Sequence, residues 1–445
     1  MTEPVSERAA ARAQAEAGAE GDLGSGPAGV RRRDLLIGGA AAGAGALAAL
    51  GVDRAVQAMP AQDAAPGSTR PWEQLGPSGD AFGGETVAGD GIHQPGVATP
   101  PQAHAVFLGI DLDPAVDRAR LRNLLRLLGD DIARLTAGAA ALADQEPELA
   151  TTPANLTITL GFGPGLVDRV DPARKPSWLA PLPAYSIDRL EDRWSGGDLL
   201  IQVCADDPLT LAHAQRMLLK DVRAFGSIRW AQPGFRNARG SLPTGTTMRN
   251  LFGQVDGTVN PHPGDADFDA VVWVGEGSGQ PAWMIGGSSL VLRRIHMNLE
   301  TWDEVDRPGR EASIGRNLAN GAPLTGVDEF DEPDFEARTP QGFTVISPAS
   351  HMRRARGDGK ERILRRVYNY DDAVPGAAGT GAAVNDSGLL FASFQADPLE
   401  QFAPIQARLA EADLLNVWTT PIGSAVFAIP PAAGAGGFPG DGLFA

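Results

Sequence analysis

From His104 onward the apolar positions switch between a strand period and a helix period. His104–Leu112 (HAVFLGIDL) is an almost continuous apolar run of strand length, and Asp113-Pro114 behind it supplies an N-cap and a first helical position. Leu121, Leu124, Leu125 and Leu128 then fall at i, i+3, i+4 and i+7, one face of a helix. Asn155–Phe162 alternates as a second strand, and Leu199–Cys204 is a third. Asp207-Pro208 caps a second helix running to Val222, and Gly226–Ala231 opens a fourth strand. The order β-α-β-β-α-β is the ferredoxin-like plan.

The plan then repeats. Leu199–Leu209 reads LLIQVCADDPL and Leu389–Leu399 reads LLFASFQADPL, with five of eleven positions identical at an offset of 190 and both Asp-Pro caps retained. The second half is predicted to place strands at Ser289–Leu299, Phe343–Ser347, Leu389–Gln395 and Ser424–Ile429. Helices are predicted near Trp302–Leu318 and Pro398–Ala410. The fold class is therefore α+β: two ferredoxin-like halves, 104–284 and 285–432, with their sheets packed together and a cavity bounded between layers. Such a duplication specifies no chemistry by itself.

The flanks lack this periodicity. Arg31-Arg32-Arg33-Asp34 precedes a Gly/Ala-rich apolar stretch from Leu35 to Val52, too weak for a membrane span, and Val56-Gln57-Ala58 ends in the small residues of a cleavage site. Residues 1–58 look like a twin-arginine export signal, with Arg32 and Arg33 as the pair. Export would place the mature chain in a periplasm, at a cell wall or outside the cell, with no transmembrane span. Residues 59–103, rich in Pro and Gly, read as an extended arm or linker, and 433–445 as a flexible tail.

Composition narrows the function. Apolar residues make up 43% of the 445 and charged residues 21%, enough to bury a core. The net charge of −17 opposes binding to nucleic acid or anionic membrane, which needs clustered cations. Loss of residues 1–58 removes six basic and seven acidic residues and leaves −16, so the acidity belongs to the mature chain. It weakly favours cationic or neutral substrates. The single cysteine, Cys204, excludes an intramolecular disulfide, a thiolate zinc site and a cysteine-held iron–sulfur cluster. Its place in a strand predicts a buried, inert thiol.

None of His93, His104, His213, His262, His296 and His351 has a second ligand at metal spacing, which argues against dedicated zinc chemistry. Two other segments carry candidate chemistry. Gly253-Gln254-Val255-Asp256-Gly257-Thr258 sets a carboxylate between glycines, where the backbone can turn tightly beside a flat ligand. Ser350-His351-Met352-Arg353-Arg354 is followed by Ile363-Leu364-Arg365-Arg366-Val367-Tyr368-Asn369-Tyr370-Asp371, a strand bearing an arginine pair. One imidazole, one arginine and one carboxylate beside a cavity are the parts of a haem peroxidase.

Together these segments resemble the dye-decolourising peroxidase family from about His104 to Pro430. The resemblance rests on the GxxDG signature at Gly253–Gly257, His-x-Arg at His351–Arg353 and ILRR at Ile363–Arg366. Ile314-Gly315-Arg316 and the closing Asn416–Pro430 segment (NVWTTPIGSAVFAIP) add to it. With the export signal, the chain is most similar to the exported bacterial subclass, which includes members of iron-uptake operons.

The resemblance implies one haem b per chain, with His351 as its proximal ligand. It implies that Asp256 moves the peroxide proton and that Arg365 stabilises charge as the O–O bond breaks. Alternation turns only one of Arg365 and Arg366 toward the haem, and the family position is the first after Ile-Leu. Arg316 would meet a haem propionate. The proximal histidine needs a carboxylate for its other N–H; Asp413, before the final strand, suits the family position. Asp397 matches Asp207 in the first repeat and reads as a helix cap. Val367 replaces the glycine usual after the arginines, and the ArgGlyAspGlyLys loop behind His351 is shorter than in many relatives.

The implied reaction is reduction of hydrogen peroxide with one-electron oxidation of aromatic or dye-like reductants. Tyr368 and Tyr370 flank the catalytic strand as candidate relays to the surface. A carboxylate catalyst predicts activity rising toward acid pH. The alternative is a haem-handling protein of the deferrochelatase kind that releases iron from haem. The distal Asp256/Arg365 pair, unnecessary for mere haem binding, favours the peroxidase and disfavours a chlorite-decomposing relative. The resemblance leaves room for iron-uptake partners and a homo-oligomer.

Overall fold

The structure, a computed structural model, describes residues 81–89, 91–374, 385–434 and 436–445; the twin-arginine segment lies outside them. In the first half, β1 (His104–Leu112) leads to α1 (Arg118–Thr136), β2 (Thr157–Phe162) and α2 (Pro164–Val170). Then come β3 (Leu199–Ala205), α3 (Pro208–Val222) and β4 (Gly226–Phe235). The Asp113-Pro114 signal forms only a turn, in which Asp113 accepts the Ala115 N–H. Helix α1 starts four residues later, where Asp117 accepts the Arg120 N–H at 2.8 Å. At α3 the sequence signal and the cap coincide: Asp207 accepts the Thr210 N–H at 2.8 Å.

After the connecting helix α4 (Phe268–Val272), the second half runs through β5 (Ser288–Met297), α5 (Leu299–Asp303), α6 (Arg307–Ile314) and α7 (His351–Arg356). It continues with β6 (Leu364–Arg365), β7 (Tyr368–Ala373), β8 (Asn385–Gln395), α8 (Phe402–Ala412) and β9 (Thr419–Ile429). The helix predicted over Trp302–Leu318 is broken, because Asp306 caps a new start at the Gly309 N–H (2.9 Å) with Pro308 in its first turn. The strand predicted at Phe343–Ser347 is a loop with one isolated bridge, Arg338 to Thr344.

Both halves show the same strand order, β4-β1-β3-β2 in the first and β7-β8-β5-β9 in the second, all antiparallel. This is the ferredoxin-like arrangement twice over. The sheets also touch edge to edge, through Phe235–Asn369 at one seam and Phe162–Ala428 at the other. They thus enclose a common interior, filled by Phe107, Trp230, Tyr368, Phe394 and Phe427. Gly109 is required there, since a Cβ would lie 2.3 Å from the Trp230 indole. Cys204 is buried in the same layer.

Helices α1 and α3 cover the outer face of the first sheet with Leu121, Leu124, Leu125, Leu128 and Leu218. Between them Asp131 and Asp221 are both buried and hydrogen-bonded to one another, which requires a shared proton. Asp131 also accepts the Leu142 N–H at 2.9 Å, which favours it as the charged partner. Burial, then the charge and hydrogen bond of Asp131, push Asp221 up to about 7.

Two flanks behave differently from expectation. Of the segment read as a linker, the described residues 81–89 and 91–103 include a docked stretch: Gln94 pairs through its amide with both the N–H and the C=O of Leu160, at 2.9 and 3.0 Å. The segment read as a flexible tail buries Phe438, Leu443 and Phe444, and Arg118, Arg122 and Arg174 bond its carbonyls. Among the described residues no helix is long and apolar enough to cross a membrane.

Candidate active site

The side chains of interest gather on the outer face of the second sheet, not in the filled layer between sheets. Strand β6 sets this by alternation. Leu364 turns into the inter-sheet core, Arg365 turns out, and Arg366 turns back in. Arg366 is fully buried and donates to Thr99 O and Gln102 Oε1 of the docked arm. Arg365 instead reaches Asp256, its guanidinium 2.9 Å from Oδ1.

Asp256 is presented by a tight loop. Arg249 and Val255 form a bridge, the Asp256 N–H donates to Met248 O at 2.9 Å, and Gly253 and Gly257 hold φ of +76° and +132°. Such angles exclude most side chains, which explains the flanking glycines. Asn250 Nδ2 donates to Asp256 Oδ2 at 3.3 Å. Although the Arg365 guanidinium is close to Oδ1, no N–H points along the contact. Oδ1 is buried without a hydrogen-bond donor among the described residues. That oxygen keeps an unused acceptor position.

His351 opens α7 and its Nδ1–H donates to Asp413 Oδ2 at 2.6 Å. Asp413 ends α8, with its side chain 3% exposed, and its Oδ1 accepts the Leu415 N–H at 3.0 Å. The two helices are tied by exchanged contacts: Arg354 donates to Arg408 O, and Arg408 to Arg354 O and Ala355 O. Burial alone would depress the His351 imidazole; the charge and hydrogen bond of Asp413 outweigh it and hold it above the ordinary value. The charges of Arg365 and Asp256 act on the same ring, which places the two groups in one neighbourhood with it.

Arg316 follows Gly315, whose φ of +88° ends α6. It is buried and donates through one nitrogen to Gly321 O (2.6 Å) and Glu329 O (2.8 Å). Burial, opposed by Glu329, lowers its proton affinity, and the guanidiniums of Arg365 and Arg356 act in the same direction. Apolar side chains complete one wall: Met248, Phe252, Trp302, Val367, Leu389 and Leu415. The Phe252 and Trp302 rings stack at 4.3 Å.

The remaining candidates have structural roles. Asp397, read as a helix cap, instead closes a turn in which it accepts the Leu399 N–H at 2.8 Å; α8 starts only at Phe402, behind Gln401. His93 stacks on Trp273, His213 pairs with Asp144, and His296 pairs with Asp386. Tyr368 and Tyr370 are buried, the latter under the Arg294 guanidinium at 3.6 Å. Among the described residues no three His, Cys, Asp or Glu side chains converge as a metal-ion cluster.

These features fit a haem. The His351 side chain keeps 31% of its surface free, so its ring is accessible to a ligand. With Nδ1 committed to Asp413, Nε2 is left as the ligating atom. Buried Arg316, whose hydrogen bonds go to carbonyls rather than carboxylates, suits an anionic propionate.

Sequence reasoning missed Asn260, whose side chain bonds both the N–H and the C=O of Arg365. The only sequence signal was its place three residues after Gly257.

Comparison with known proteins agrees with this site. Family models for the Dyp-type peroxidase N-terminal and C-terminal parts match residues 94–236 and 247–434. A DyP-type peroxidase crystal structure from Cellulomonas bogoriensis is 50% identical, covers 82% of this chain and 99% of its own, and superposes with a TM-score of 0.78. A dye-decolorizing peroxidase of Thermobifida fusca is 36% identical over 76% of this chain and 81% of its own length. A deferrochelatase of Escherichia coli K12 is 35% identical over 79% and 86%.

Proposed function

We propose, for a chain that belongs to the Dyp-type peroxidase family and is a haem peroxidase, that Asp256 and Arg365 cleave hydrogen peroxide while His351 and Asp413 hold the haem. Haem, when bound, supplies an iron that takes two oxidising equivalents from peroxide and passes them on one at a time. Asp256 Oδ1 accepts the proton from the nearer peroxide oxygen and returns it to the farther one, which departs as water. The Arg365 guanidinium stabilises the negative charge that develops as the O–O bond breaks. His351 Nε2 ligates the iron, and Asp413 raises its donor strength through the Nδ1–H. Arg316 meets a propionate.

The observation that carries this reading is the buried Asp256 Oδ1, without a hydrogen bond of its own and 2.9 Å from Arg365. Haem retention alone would not require such a pair. Aromatic or dye-like molecules fit as reductants, by likeness to the Thermobifida relative. The test is Asp256→Asn in the haem-loaded protein. Peroxide reactivity should fall about 10²- to 10⁴-fold, the usual range for a positioned acid–base group, with the Soret band retained. Unchanged turnover would remove Asp256 from the mechanism.

A second reading, iron release from haem, is supported by likeness to the Escherichia coli deferrochelatase. Incubating the holo-protein with and without peroxide separates the two. Metal-free porphyrin fluorescence without peroxide would favour iron release. Export through Arg32 and Arg33 belongs to the same proposal, and Arg32→Lys with Arg33→Lys should leave an unprocessed precursor inside the cell.

A further inference from the structure

The geometry points to Asn260 as the residue that positions Arg365 against Asp256, an inference that rests on the roles proposed above for that pair. Strand β6 is only two residues long and pairs with β8 alone, so among the described residues one side of it has no neighbouring strand. In an antiparallel ladder a residue's N–H and C=O point to the same side. Arg366 uses its N–H on the β8 side, donating to Ala392 O at 2.8 Å. Those of Arg365 therefore face the vacant side, and Asn260 meets both.

The Asn260 carboxamide donates from Nδ2 to Arg365 O at 2.7 Å and accepts the Arg365 N–H on Oδ1 at 3.1 Å. One planar amide thus replaces a missing strand at a single residue. The other end of the connection is equally short. The Asn260 N–H donates to Gly257 O at 2.9 Å, closing a four-residue turn that begins directly after Asp256. Glu329 pins that turn by accepting from the hydroxyls of Thr258 (2.8 Å) and Thr247 (2.6 Å). From the Asp256 backbone to the Arg365 peptide there is one closed turn and two hydrogen bonds.

Arg365 has no other described anchor for its peptide, and its guanidinium approaches Asp256 Oδ1 without a directed hydrogen bond. The ion pair lacks the directionality of a hydrogen bond, so the geometry of the approach depends on where the root of the Arg365 side chain is held. Only a group with one donor and one acceptor in a plane satisfies both halves of that peptide, which is the chemistry of asparagine. Displacement of a reacting group by about 1 Å can cost about 100-fold in rate.

The test is a double-mutant cycle on the haem-loaded protein, with Asn260→Ala, Arg365→Leu and the pair, read as the bimolecular rate of Soret change with hydrogen peroxide. Asn260→Ala should slow that rate about 10- to 100-fold while haem content, the resting spectrum and KM for the reductant stay unchanged. In the Arg365→Leu background the same substitution should change the rate less than about twofold. A merely structural asparagine would lower the rate equally in both backgrounds, and that result overturns the proposal, as does a single variant as fast as the parent. If Arg365→Leu alone is as fast as the parent, the role proposed for Arg365 falls and the positioning role falls with it. Should Asn260→Ala not retain haem, Asn260→Asp replaces it in the cycle. It keeps the shape and the acceptor, loses the donor to Arg365 O, and is read by the same two outcomes.

Discussion

The carboxyl pair between α1 and α3 makes folding stability depend on pH far from the catalytic residues. Asp221 is pushed up to about 7 from an ordinary value of 3.8, by burial first and then by Asp131. Its affinity for a proton is thus higher in the folded chain than in the unfolded one. The stabilisation is fully present below the ordinary value and is lost as pH rises through about 7. A shift of roughly three units corresponds to about 4 kcal/mol at most, since one unit is about 1.4 kcal/mol and nearby solvent screens part of it. Asp221→Asn supplies a permanent donor to Asp131 and removes the titration. The variant should match the parent near pH 4 and become the more stable of the two as pH rises, the gap approaching up to about 4 kcal/mol near pH 8. Urea unfolding of the haem-loaded protein, followed by far-ultraviolet circular dichroism at several pH values, measures that gap. Parallel curves for the two proteins across the range would refute the shared proton.

Asp413→Asn keeps the shape beside His351 but removes the charge, and should cost about 10- to 100-fold in haem affinity or peroxide activity, read by haem transfer to an acceptor protein and by turnover. Deleting residues 438–445 removes Phe438, Leu443 and Phe444 from the core. At about 1.5–3 kcal/mol for each buried side chain, the loss should show as a lower unfolding midpoint with the resting haem spectrum intact. Arg366→Met, unlike Arg365→Leu, should leave the peroxide rate unchanged. It should destabilise by about 1–3 kcal/mol for the stranded acceptors at Thr99 and Gln102, measured by denaturant titration.

What the sequence made legible is what short-range physics determines. The strand runs at His104–Leu112 and Leu199–Cys204 stand out because both faces are buried, and alternation separates Arg365 from Arg366. The docked arm and the packed tail were not legible, since each attaches through a few residues in Pro/Gly-rich stretches without a period. Gln94 and Gln102 act through side-chain amides, which no hydropathy pattern reports. The break before α6 was signalled by Asp306 and Pro308, which a single helix over Trp302–Leu318 passes across. Asn260 escaped notice because its partner lies 105 positions away.

The two seams between the sheets have a further consequence. At each seam one residue pair joins an outer strand of one half to an outer strand of the other, so the halves hold each other at both edges in a chain whose single cysteine permits no internal cross-link. Separation would break both seams and expose the aromatic layer at once. Every residue proposed to handle haem or peroxide lies within 256–413, in the second matched part, yet the Arg366 beside Arg365 is held by the arm before β1. The duplicated architecture is therefore indivisible: neither repeat is a small peroxidase in waiting, and selection on one acts on the other.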